Sequence, residues 1–165
     1  MKKSNPWIVV VFILLSIIST SCNSKNTCEP TDDQKKLIST EIETIVRNFF
    51  NPYTLSYETH AELRADKEGY VMGGDGKVLF TDYSTYKESV KSSFAGIQRF
   101  IEFETISIYV YVLSPEAATC TTEFKSKFLT IAGDTVINNG CYTFVFKKFD
   151  NSWKIIQENG THLRE

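Results

Sequence analysis

Apolar residues change their rhythm several times along this chain, and each change marks an element. Trp7 to Ile18 is an apolar run broken only by Ser16. From Thr31 the pattern becomes helical. Ile38, Ile42, Ile45, Val46 and Phe49 form one face of a helix of roughly five turns, opposed by Lys35, Lys36, Glu41, Glu43 and Arg47. Thr31 with Gln34 forms a capping-box pattern, Asp32 and Asp33 suit a helix start, and Pro52 ends the run. Tyr53 to Arg64 predicts a second, shorter helix with Tyr53, Tyr57 and Ala61 on one side. Tyr70-Val71-Met72 and Val78-Leu79-Phe80 flank Gly73-Gly74-Asp75-Gly76, a hairpin turn that needs positive φ. Asp82 can cap a third helix carrying Tyr83, Tyr86, Val90 and Phe94, which ends near Gly96.

Beyond Gly96 the period falls to two. Phe100 to Leu113 is apolar on both faces in its second half, which predicts a strand covered on both sides there. Ala117 to Ile131 alternates Phe124 and Phe128 with Glu123, Lys125 and Lys127, a half-solvated strand. Tyr142 to Phe149 and Trp153 to Glu158, joined at Asp150-Asn151-Ser152, complete a meander. Helices followed by long antiparallel strands indicate an α+β domain whose curved sheet wraps the helices.

The first segment has a different use. Lys2 and Lys3 precede the apolar run, and Ser19-Thr20-Ser21 places small residues before Cys22. A run this short falls below the roughly 20 residues of a spanning helix and reads as a secretory signal. Small residues before a cysteine resemble a lipobox, although Ser19 stands where Leu is usual. Residues 1–21 are therefore expected to be a lipoprotein signal peptide. Residues 22–30 would be the lipidated Cys22 and a polar tether, and residues 31–165 the domain. The resemblance implies a membrane-anchored lipoprotein of the bacterial cell envelope, outside the cytoplasm.

With Lys2 and Lys3 removed, 16 basic residues face 20 acidic ones, a formal charge of −4. No basic block offers nucleic acid a footprint, so no nucleic-acid partner is expected. Cys28, Cys120 and Cys141 show no zinc spacing, and no metal is expected. Cys120 and Cys141 fall on strands expected to be neighbours; a disulfide and two buried thiols are both open. GxSxG, HExxH, P-loop and GxGxxG patterns are missing from the sequence, and no cofactor is called for.

The order long helix, short helix, hairpin, helix and four long strands, ending in Phe144-Val145-Phe146-Lys147-Lys148-Phe149-Asp150-Asn151-Ser152-Trp153-Lys154-Ile155-Ile156, resembles the NTF2-like superfamily in its SnoaL-like branch. The resemblance covers about Asp32 to Leu163. It implies a cone-shaped fold with a pocket at its open end and homodimers formed through the outer sheet face. Isomerases, cyclases, dehydratases and non-catalytic binding domains share this fold, which leaves the function to the site. His162, in the tail after Trp-Lys-Ile, is the leading acid–base candidate, followed by His60, Glu104, Asp75 and Glu58. Tyr53, Tyr57, Tyr109, Tyr111, Tyr142, Trp153 and Asn159 are expected, with His162, to line a ligand pocket. Two functions stay open. One is non-catalytic binding of a small apolar or aromatic ligand or a protein partner; the other is proton-transfer catalysis using His162.

Overall fold

The computed structural model describes residues 29–164. The signal, Cys22 and most of the tether lie outside the described residues, as does Cys28. Helix α1 (Asp32–Phe49) begins on the expected capping box: Gln34 N donates to Thr31 Oγ1 at 3.3 Å, and Thr31 N donates to Gln34 Oε1 at 2.9 Å. Helix α2 (Tyr57–Glu62) is shorter than the sequence pattern predicts, because Ser56 and Thr59 make a second capping box that fixes its start. Strands β1 (Val71–Gly74) and β2 (Lys77–Phe80) form the hairpin, and α3 (Tyr83–Ala95) follows, capped by Asp82. The long strands are β3 (Ile97–Ser114), β4 (Ala117–Thr130), β5 (Thr135–Phe149) and β6 (Ser152–Arg164).

These strands make one mixed sheet in the order β2-β1-β6-β5-β4-β3. Only β1 and β6 run parallel; the other pairs are antiparallel. The hairpin thus continues the sheet beyond β6, and the tail segment Gln157 to Leu163 is a strand paired with β5 throughout and with β1 from Gln157 to Gly160. The turn between β1 and β2 contains only Asp75 and Gly76, at φ 48° and 85°, the signature of a two-residue hairpin turn.

Helix α1 buries Ile38, Ile42 and Val46 against the sheet, where they meet Ala118, Cys120 and Phe144. Trp153 at the start of β6 closes one end, donating from Nε1 to Glu41 Oε2 on α1 at 2.7 Å. That bond, followed by the charge of Lys148, holds the Glu41 carboxyl below its ordinary range, burial opposing them.

One expectation needs correction. The second half of β3 is covered on one side only: Ile108, Val110 and Val112 pack inward, while Tyr109 and Tyr111 stand 68% and 70% exposed. Strand β3 is the sheet edge, and no layer of described residues lies on its outer face. Of the two states left open for Cys120 and Cys141, the structure has the free thiols. Cys120 sits opposite Phe144 while Cys141 sits opposite Glu123, so the two are three rungs apart and point to opposite faces. Burial pushes the Cys120 thiol up to about 12, so it behaves as a small hydrophobe.

Candidate functional site

An irregularity in β6 builds the site. Phe146 pairs with Ile155 but Val145 pairs with Gln157, so Ile156 is an extra residue in the ladder, a β-bulge. Before it, Trp153 and Ile155 face the core. After it, Glu158, Gly160 and His162 do. One inserted residue therefore turns a carboxylate and an imidazole inward.

Glu158 enters a closed network. Arg64, just after α2, donates from Nε to Oε1 at 3.0 Å and from Nη2 to Oε2 at 2.7 Å. Tyr70 donates its hydroxyl to Oε1 at 2.5 Å, and Arg64 Nη1 reaches the His60 carbonyl at 2.8 Å. Arg64 and Glu158 are 3% and 1% exposed, which makes this a buried bidentate pair. The guanidinium lies 4.7 Å from the Phe49 ring centroid and 5.5 Å from that of Tyr86. Burial works against the charge of Arg64, but Glu158 outweighs it and the guanidinium stays protonated. Burial, with the Glu158 charge second, pushes the Tyr70 hydroxyl far up.

Above this network lies a cavity of about 310 Å³, walled chiefly by phenylalanines that include Phe49, Phe94, Phe100, Phe124 and Phe128. Both histidines of the chain line it, and each meets a tyrosine hydroxyl. His60 Nδ1 is 2.9 Å from Tyr86 Oη, and His162 Nε2 is 2.9 Å from Tyr142 Oη. Burial, reinforced by the charge of Arg64, drives His60 well below the ordinary histidine range and leaves it neutral. Burial pushes both Tyr86 and Tyr142 upward, so both keep their protons. A neutral His60 that accepts from Tyr86 at Nδ1 carries its own proton on Nε2.

His162 is tied to the hairpin as well. Its main-chain N donates to Asp75 Oδ1 at 3.0 Å, and its Nδ1 lies 3.6 Å from Asp75 Oδ2. The second distance is electrostatic rather than a hydrogen bond. Asp75 is thus both a turn residue and the carboxylate beside His162. Two strand glycines make room for these rings: a Cβ on Gly140 would collide with Phe124, and one on Gly160 with Tyr142.

Of the residues singled out from sequence, His60, Tyr142 and His162 line the cavity, and Asp75 stands behind His162. The others lie elsewhere. Tyr53 is 95% exposed after α1, and Tyr57 is half-buried at the start of α2. Tyr109 and Tyr111 occupy the outer face of β3, and Trp153 is in the core. Glu58 and Glu104 are exposed, and Asn159 points away from the face that carries His162. Sequence reasoning missed Arg64, Tyr70, Glu158, Ser126 and Asn138, and gave Tyr86 only a place on an apolar helix face. Among the described residues, no group of three His, Cys, Asp or Glu side chains could hold a metal ion.

The profile of the SnoaL-like domain matches residues 42–161, most of the chain. The chain belongs to the SnoaL-like family. Several solved structures share the fold. A candidate scytalone dehydratase from Novosphingobium aromaticivorans DSM 12444 superposes with a TM-score of 0.67 at 16% identity, covering 81% of this chain and 89% of that one. The hexachlorocyclohexane dehydrochlorinase LinA-type3 from Novosphingobium barchaimii LL02 gives 0.63 at 13%, covering 82% and 93%. An NTF2-like superfamily protein from Salmonella enterica serovar Typhimurium LT2 gives 0.65 at 12%, covering 76% and 90%. At such identities these neighbours establish the SnoaL-like fold alone. No protein of curated function matches the sequence.

Proposed function

We propose that this SnoaL-like domain binds a small, mostly aromatic molecule in its cavity, and that it works outside the cytoplasm on a lipid attached to Cys22. The observation that carries the first half is the phenylalanine-walled space of about 310 Å³ in which His60, Tyr86, Tyr142 and His162 converge. Ligand pockets combine apolar walls with a few placed polar groups, and this volume suits a molecule of about two fused rings. Naphthalene, followed by its fluorescence, is expected to bind the wild-type protein. Val90→Trp, which fills the cavity from α3, should weaken that binding more than tenfold while the melting curve stays cooperative. Equal binding by both proteins would sink the proposal.

The second half rests on the signal-like leader, the small residues before Cys22 and the polar stretch after it. Palmitate labelling that disappears in Cys22→Ser is the expected result; unchanged labelling would refute it. The exposed stripe of Ile106, Tyr109, Tyr111 and Leu113 on β3 supports pairing of two copies through the outer sheet face.

Asp75 favours a second reading, proton-transfer catalysis. A carboxylate beside Nδ1 can orient the imidazole, an arrangement that a general base uses. Deuterium exchange at the α-carbon of 2-tetralone in D2O discriminates the two. Acceleration by wild type that His162→Gln abolishes favours catalysis, and no acceleration favours binding alone.

A further inference from the structure

Among the described residues, one buried side-chain oxygen or nitrogen has no hydrogen-bond partner: Asn138 Oδ1. It lies on the cavity wall, on β5, directly across the ladder from Ser126, which is buried on β4 and also lines the cavity. Buried polar groups in folded proteins are almost always satisfied, because an orphaned carbonyl forfeits its hydration with nothing in return. Nothing among the described residues supplies the missing donor. What remains is a group that enters the cavity, and a modest rotation about χ2, a soft torsion, presents the oxygen to it.

The electrostatics restrict that group further. Arg64 is matched by Glu158, His60 is neutral, Tyr86 and Tyr142 retain their protons, and His162 has the Asp75 carboxylate beside it. The buried wall therefore offers no uncompensated charge to an ion, and an ionised ligand would lose its hydration without a counter-charge. Gly140, two residues along β5 from Asn138, carries no side chain, so the space between Asn138 and His162 is left to the ligand and to the ring of Phe124.

We propose that Asn138 is the specificity-determining residue of this cavity, selecting neutral aromatic molecules that carry a hydroxyl or N–H donor over equally large ones that do not. This rests on the cavity being a ligand site, as proposed above. A site with an acceptor in place discriminates strongly against an analogue lacking the donor, because the acceptor is then left unpaired.

Three matched probes test it: naphthalene, 2-naphthol, and 2-methoxynaphthalene, which keeps the oxygen but has no donor. Dissociation constants are measured for each by fluorescence titration of the purified full-length chain. In wild type, 2-naphthol is expected to bind roughly 3- to 10-fold tighter than either of the others. Asn138→Leu, close in volume, should erase that preference, so that the three probes bind that variant with equal affinity. Asn138→Asp keeps the acceptor and should keep a preference for 2-naphthol over 2-methoxynaphthalene, which also covers the case of a Leu variant that fails to fold. Equal affinities for the three probes in wild type would overturn the role of Asn138 while leaving the cavity a ligand site. A preference that survives Asn138→Leu would do the same. Failure of all three to bind would overturn both.

Discussion

Glu158→Ala is expected to destabilise the domain by about 3–5 kcal/mol, the range for removing one partner of a buried ion pair. The loss comes from what stays behind. Arg64, 3% exposed, would keep its charge with its Nε and Nη2 donors unmatched, and the Tyr70 hydroxyl would lose its acceptor. Urea unfolding at neutral pH measures the effect through the transition midpoint. The pair itself need not stabilise the fold by that amount, since an apolar replacement of both partners avoids two desolvations. The double variant Arg64→Met/Glu158→Leu should therefore be more stable than Glu158→Ala. A single-variant loss below about 1 kcal/mol would show that Arg64 finds water or another partner.

Gly140→Ala is the second large effect, although it adds one methyl group. Its Cβ would stand 2.5 Å from the Thr161 carbonyl oxygen and 2.6 Å from the Phe124 ring. The carbonyl belongs to β6, in the ladder with β5, and cannot retreat without breaking that pairing. Phe124 can retreat, but it is stacked on Phe50 and on Tyr142. Overpacking of this kind costs about 1–3 kcal/mol, and a backbone collision places this site at the upper end. Movement of Phe124 also alters the cavity wall. We expect a drop of about 2–3 kcal/mol in unfolding free energy together with weaker naphthalene binding. Unchanged stability would mean that β5 and β6 separate more easily than their register suggests.

The same glycine shows where sequence reading stops. In a strand it looks like a weak point, and the reason for it lies in a ring on the strand beside it. Helix α1 is the opposite case. Its capping box, acidic first turn and apolar face are set by residues within a few positions of one another, so the pattern and the structure agree. Asp82 and the Asp75-Gly76 turn are equally local. Tyr53 stands at helical spacing from Tyr57 and Ala61. Ser56 provides a closer cap, and the helix begins after it.

The β6 bulge explains the site residues. Strict alternation from Trp153 and Ile155 carries Gln157, Asn159 and Thr161 inward and sends Glu158 and His162 out. Ile156 reverses that order. A bulge has no reliable local signature, so the sequence does not show which of Glu158 and Asn159 faces the cavity. Tyr109 and Tyr111 fail for a related reason. Their alternation reports a strand with two apolar faces, but which face meets the helices depends on the position of β3 in the sheet.

By itself the sequence determined what neighbouring residues can decide: helix starts, tight turns, the α+β order of elements and the SnoaL-like resemblance. It also supplied the composition of the wall, since 12 phenylalanines and 8 tyrosines in one chain ensure aromatic surfaces in contact. Only the tertiary structure decided which of them enclose a space. Arg64 meets Glu158 across 94 residues, Tyr142 meets His162 across a strand pair, and Asp75 reaches His162 across 87 residues. These meetings depend on register, on one bulge and on two glycines that let rings through. Each is a property of strands once paired, and a side chain's facing is fixed only when its partner strand is in place.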